Sequence, residues 1–113
     1  MSLWLVGLGG VAGAVARVLV GERVERHARD TLLVNVAGSF LLGVVTTAPV
    51  PEPVALLVGV GFCGAFTTFS TFAVETVGFL EAGDPRRALR NAGGSLAAAL
   101  LAVGVGFLVG GLL

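Results

Sequence analysis

Gly61-Phe62-Cys63-Gly64-Ala65-Phe66-Thr67-Thr68-Phe69-Ser70-Thr71-Phe72 lies inside an apolar run long enough to cross a membrane. These twelve residues hold four hydroxyls, four phenylalanines and two glycines. A helix that only faces lipid has no use for that mixture. A broken helix lining a polar path does, because irregular backbone at membrane depth is tolerated where it is buried or wet. Gly59, Gly61 and Gly64 weaken the helix just before the hydroxyl run.

The surroundings of this stretch set the class. The chain has 113 residues, 56% of them hydrophobic, and a mean hydropathy of +0.99. A soluble domain of this size could not hide that much apolar surface, so the chain reads as one small integral membrane domain. The single cysteine, Cys63, excludes an intrachain disulfide, and the single histidine, His27, sits in a charged loop. No phosphate loop, dinucleotide fingerprint or nucleophile elbow occurs, so the chain is not expected to be an enzyme or to bind nucleic acid. The apolar N-terminus lacks a basic flank and is interrupted by Arg17, which reads as a retained first span rather than a signal peptide.

Loop signals cut the chain three times. Gly21 to Asp30 is densely charged, Pro49 to Pro53 holds three prolines, and Glu81 to Arg90 contains Gly-Asp-Pro and three arginines. The segments between are about 3–20, 31–48, 54–80 and 88–112. A crossing needs ~17–25 helical residues. The expected fold is therefore all-α, with four transmembrane helices and the third broken near its middle. Gly9 and Gly13, Gly10 and Ala14, Ser39 and Gly43, and Gly106 and Gly110 repeat at the four-residue spacing that lets helices approach closely in lipid.

All seven basic residues are arginine. Arg23, Arg26 and Arg29 fall in the first loop, and Arg86, Arg87 and Arg90 in or beside the third. The second loop and both tails have none. Lys and Arg near spans stay in the cytoplasm. Both termini are therefore expected outside, with the first and third loops in the cytoplasm.

Polar groups inside spans cost free energy unless they find partners. Asn35 and Ser39, Thr67, Thr71 and Glu75, and Asn91 and Ser95 each recur at a spacing of four, which puts each set on one helical face. A lone hydroxyl is most simply satisfied by its own helix. The Asn35 amide is not, and three converging stripes would form a track of hydrogen-bond donors. Phe69 and Phe72 flank Ser70 and Thr71. Aromatic ring edges are electropositive. Donors and ring edges without a lining acid pair lean towards a small anion. Phe62, Phe79 and Phe107 read as packing or lipid contact.

These residues closely resemble the CrcB/Fluc family of fluoride channels over nearly the whole chain. The resemblance rests on Gly9-Gly10, Gly13-Ala14 and Arg17, then Thr31-Leu32-Leu33-Val34-Asn35 with Gly38-Ser39-Phe40 and Gly43. It is most specific in Gly61-Phe62-Cys63-Gly64 running into Thr67-Thr68-Phe69-Ser70-Thr71-Phe72 and Glu75. It implies an antiparallel dual-topology dimer with two pores, in the cell membrane, that exports fluoride passively and confers fluoride resistance. It implies that Phe69 and Phe72 offer ring edges to fluoride and that Asn35, Ser70, Thr71 and Ser95 form the polar track. Gly64 and Thr67 match the break whose carbonyls, two from each subunit, hold a central structural sodium ion. Arg17 matches a boundary arginine, and Glu75 a supporting position.

A homodimer of dual topology should carry almost no arginine bias, because each copy must insert both ways. The bias here favours one orientation and pairing with an oppositely oriented homologue over pairing with itself. The absence of polar residues in the fourth span after Ser95 fits two unlike pores. The alternative is a small four-helix multidrug or cation transporter, which shares the length and span count. Such transporters resemble proton-coupled pumps with a glutamate in the first span, where this chain has no acid. A third reading, an assembly subunit without transport, leaves the interleaved Phe and hydroxyl run unexplained.

Overall fold

In a computed structural model all regular secondary structure among the described residues is helical. These are 3–23, 27–67 and 69–113, with the side chains of residues 27–30 and 70 outside the description. Arg26 and Arg29 of the first arginine loop therefore lie outside it.

Helix α1 spans Leu3–Arg23 and α2 spans His27–Thr47. The short helix α3 (Glu52–Val54) opens a third crossing, which continues as a π-helical segment, Ala55–Cys63, and then α4, Gly64–Phe66. Helix α5 runs over Phe69–Glu81 and α6 over Pro85–Leu112. Three stretches, Leu3–Arg23, Glu52–Glu81 and Pro85–Leu112, are long and apolar enough to cross a membrane, and Thr31–Thr47 is a shorter apolar helix. The chain is a multi-pass helical membrane protein. At ~1.5 Å per residue, the 28 residues of α6 reach about 42 Å, enough to cross the hydrocarbon and enter the headgroups.

Helical backbone reaches further into the first charged loop than the apolar pattern predicts. It holds to Arg23 and resumes at His27. Glu and Arg are good helix formers, and a long arginine stem can run along apolar surface with its head in water. The other boundaries follow local chemistry. Pro51, extended at φ −61° and ψ 151°, caps the third crossing. Gly83 has φ +79° and ends α5, with its N–H on the Leu80 carbonyl and the Asp84 N–H on that of Phe79. This is the Schellman arrangement. Asp84 then accepts a hydrogen bond from the Arg87 N–H at 3.1 Å, and Pro85 occupies the first turn of α6.

The bundle is built from two close pairs, α1 with the π segment and α2 with α6. Both rely on missing side chains. A Cβ on Gly9 would run into the Leu57 carbonyl oxygen, and one on Gly13 into that of Phe62. On the facing segment, a Cβ on Gly61 would stand 2.6 Å from the Val6 carbonyl oxygen. In the second pair Gly43 faces the Val103 carbonyl and Gly106 faces that of Phe40. Backbones thus touch directly, which is how helices gain dispersion contact where lipid removes the hydrophobic drive.

The interior is small. Val34, Cys63, Phe66 and Ala88 are the buried apolar residues, with Thr31 buried among the polar ones. Large apolar side chains point outward along the spans, Leu101 at 71% exposure among them. Water would not tolerate that surface. Lipid or another chain does.

Among the described residues the third crossing leaves helical backbone at Thr67. Helix α4 stops at Phe66, and Thr67 is extended at φ −80° and ψ 155°. The Thr67 N–H and hydroxyl both turn back to the Cys63 carbonyl, at 3.1 and 2.9 Å. Gly38 of α2 makes room for this, since a Cβ there would strike Thr67 Cγ2.

Candidate ion pathway

The interruption at Thr67 opens onto a cleft of about 440 Å³ between α2, the third crossing and α6. Asn35 and Ser39 line it from α2, Gly64 and Thr67 from the interruption, Phe69 and Phe72 from α5, and Ser95 from α6. The remaining lining is aliphatic, glycine or Cys63, so no charged side chain among the described residues borders the cleft. Its polarity comes from an amide, hydroxyls and whatever backbone the interruption exposes.

Six of the residues expected to serve the ion pathway are brought together here: Asn35, Gly64, Thr67, Phe69, Phe72 and Ser95. Thr71 is not among the lining residues. It faces α1, where its Oγ1 accepts a hydrogen bond from Arg17 Nη2 at 2.8 Å. Arg17 Nε is buried with no hydrogen-bond partner among the described residues. Glu75 is half-buried further along α5 and does not border the cleft. The Ser70 side chain lies outside the description.

The four phenylalanines of the run divide into two pairs. Phe62 and Phe66 stack at 5.2 Å between centroids and 22° between planes, with Phe66 buried. Phe69 and Phe72 are 5.9 Å apart and tilted by 50°, on the cleft. A tilted pair cannot hide both ring edges against each other, so electropositive rim remains to face a guest. Phe69 is 79% exposed in the single chain.

Several hydroxyls that could have joined a track serve their own helices. Thr46 Oγ1 donates to the Leu42 carbonyl at 2.7 Å and Thr47 Oγ1 to that of Gly43 at 3.0 Å. Thr76 Oγ1 donates to the Phe72 carbonyl at 2.9 Å, and itself accepts from Asn91 Nδ2 at 2.9 Å. That relay ties α6 to the backbone of a cleft-lining phenylalanine. Sequence spacing had set Asn91 beside Ser95 on one face. It gave no sign that the Asn91 amide would reach across to α5.

Residues 4–107 match the family described as CrcB-like protein, Camphor Resistance (CrcB). Over 105 residues the chain is 59% identical to the fluoride-specific ion channel FluC 2 of Natronomonas pharaonis, covering 93% of this chain and 90% of that relative. It is 49% identical over 106 residues to the fluoride-specific ion channel FluC 2 of Haloarcula marismortui, with 92% and 89% covered. The protein of the same name from Moorella thermoacetica is 43% identical over 117 residues, with 96% of each chain covered. With an uncharged, donor-bearing cleft beside an interrupted third crossing and a match over nearly its whole length, the chain belongs to the CrcB family.

Proposed function

We propose that this chain is a subunit of a fluoride-selective channel that lets fluoride leave the cell passively. The observation that carries the reading is the single cleft shared by Asn35, Phe69, Phe72 and Ser95 with no charged side chain on its wall. The named function of its relatives, ion channels and not enzymes, agrees with it.

Fluoride is small and strongly hydrated, so a pathway must replace water with donors of similar strength at close range. The Asn35 amide and the Ser95 hydroxyl supply hydrogen bonds, and the resemblance adds the Ser70 hydroxyl to them, while Thr71 serves from the side through Arg17. The edges of Phe69 and Phe72 attract an anion without hydrating it. A fixed cation on the wall would hold the ion too tightly for flux, and none lines the cleft. Arg17 acts from the side, through Thr71, and Glu75 supports the same end of α5. Fluoride that enters a cell as the neutral acid ionises there and leaves by this route.

The working unit is an antiparallel dimer in the plasma membrane. The exposure of Phe69 supports this, because a ring that serves the pathway needs a second chain to enclose it. The arginine bias supports a partner that is an oppositely oriented homologue, with the termini of this chain outside. Gly64 and Thr67 suit a structural sodium ion. A ψ near 155° turns the Thr67 carbonyl out of helical register, and Gly64 is exposed in the single chain. Hard cations take oxygen donors, and two carbonyls from each chain would supply a cage.

Fluoride efflux from proteoliposomes, with chloride as control, tests the reading. Flux of fluoride but not chloride is expected from this chain with its partner. No fluoride flux from that pair would remove the channel assignment. A conducting particle containing this chain alone in both orientations would replace the heterodimer with a homodimer.

A further inference from the structure

A second cleft, of about 480 Å³, opens at the arginine-rich end of the bundle. Arg87, Arg90 and Asn91 from the start of α6 line it, with Leu32 of α2 and Phe79 of α5 as its apolar wall. The Arg87 guanidinium carbon lies 4.7 Å from the centroid of the Phe79 ring. That cation–π contact holds the guanidinium over the ring and leaves N–H groups for a ligand. Neither Arg87 nor Arg90 pairs with a carboxylate among the described residues. Asp84 is turned to the Arg87 backbone N–H instead. Two positive forks, one of them held by an aromatic ring, thus meet a hydrocarbon surface at the depth where apolar helix gives way to charge.

We propose that this cleft seats the headgroup phosphate of an anionic phospholipid. A phosphate matches the planar fork of arginine through paired N–H···O bonds. The first acyl carbons continue along Leu32 and Phe79, where a free anion would leave apolar surface unfilled. Basic pockets between helices at the membrane surface take such headgroups. The site adjoins the uncharged cleft, with which it shares Ser95, and differs from it in carrying two arginines. Its occupant bridges α2, α5 and α6 at one end of the bundle.

The test uses the full chain in vesicles of equal phosphatidylglycerol and phosphatidylcholine, with retained lipid counted by native mass spectrometry after extraction. The parent should retain phosphatidylglycerol over phosphatidylcholine. Arg87→Ala with Arg90→Ala should lower that preference roughly tenfold or more, at about one unit of surface attraction lost per arginine. Arg86→Ala, which does not line the cleft, should keep it. If the alanine pair does not fold, Arg87→Gln with Arg90→Gln preserves the stems over the apolar wall and should show the same loss. Equal retention of the two lipids by the parent, or unchanged preference in the doubly substituted chain, overturns the proposal. Full displacement of the lipid by millimolar inorganic phosphate also overturns it, because a free anion would then be the occupant.

Discussion

The two halves of the third crossing use the same residue types for opposite ends. In Ala55–Cys63 glycine lets the segment press against α1 until backbones touch, and Phe62 stacks on Phe66 just beyond, in the interior. Past Thr67 the phenylalanines tilt on an open cleft, and hydroxyls reach other helices. The first half is fastened by contact that tolerates no added atom. The second leaves open space beside its rings. The contrast teaches that glycine and phenylalanine here carry no fixed meaning: the interruption between the halves decides whether they pack or line the cleft.

The contrast is broken most severely from the packed side. Gly13→Leu would drive a side chain into the Phe62 carbonyl, whose backbone cannot give way, so no monodisperse protein should survive extraction and size-exclusion chromatography. Recovery of folded, conducting Gly13→Leu would show that the first half is not fastened as described.

On the open side, substitutions should spare the fold and remove flux. Asn35→Asp places a negative charge on the cleft wall. At ~4 Å and an effective dielectric of about 20 its repulsion of an anion is about 4 kcal/mol, near three orders of magnitude in occupancy. Fluoride efflux should fall to the leak of empty vesicles, with an unchanged elution profile. Phe69→Ile removes the ring edge while keeping bulk and should also abolish flux. Wild-type efflux in both variants would detach the cleft from conduction.

A smaller effect tests the relay beneath Phe72. Thr76→Val removes both the bond from Asn91 and the bond to the Phe72 carbonyl. One net hydrogen bond is worth about 1 kcal/mol, so fluoride flux should drop severalfold while chloride remains excluded. Unchanged flux would show that Phe72 needs no brace from α6. The smallest change expected is at the α5–α6 turn, remote from both halves. Gly83→Ala forces a Cβ into left-handed backbone and should lower unfolding stability by about 1 kcal/mol with flux per folded channel intact.

The sequence made the helical membrane class, the turn chemistry and most of the glycine contacts legible, because proline, charge and small-residue spacing act locally. Asn35, Phe69, Phe72 and Ser95 could be grouped by residue type alone, and they share one cleft. The stripe of Thr67, Thr71 and Glu75 could not be carried through. Four-residue spacing defines one face only while the helix is continuous. Extended Thr67 resets the phase, so it lines the cleft while Thr71 meets Arg17. The π-helical stretch was also illegible, since its glycines signal weakness without stating how the ladder widens. Contacts such as Asn91 with Thr76 depend on the rotation of one helix against another, which periodicity does not encode.

The extended residue at Thr67 has one more consequence. A continuous helix would keep the partial charges of its aligned peptide dipoles at its two ends, away from the membrane interior. Stopping at Phe66 and restarting at Phe69 brings two such ends to the middle of the crossing. The end of α4 is electronegative and the start of α5 electropositive. The break after Phe66 therefore sets a cation-favouring pole beside an anion-favouring pole, without any ionised side chain.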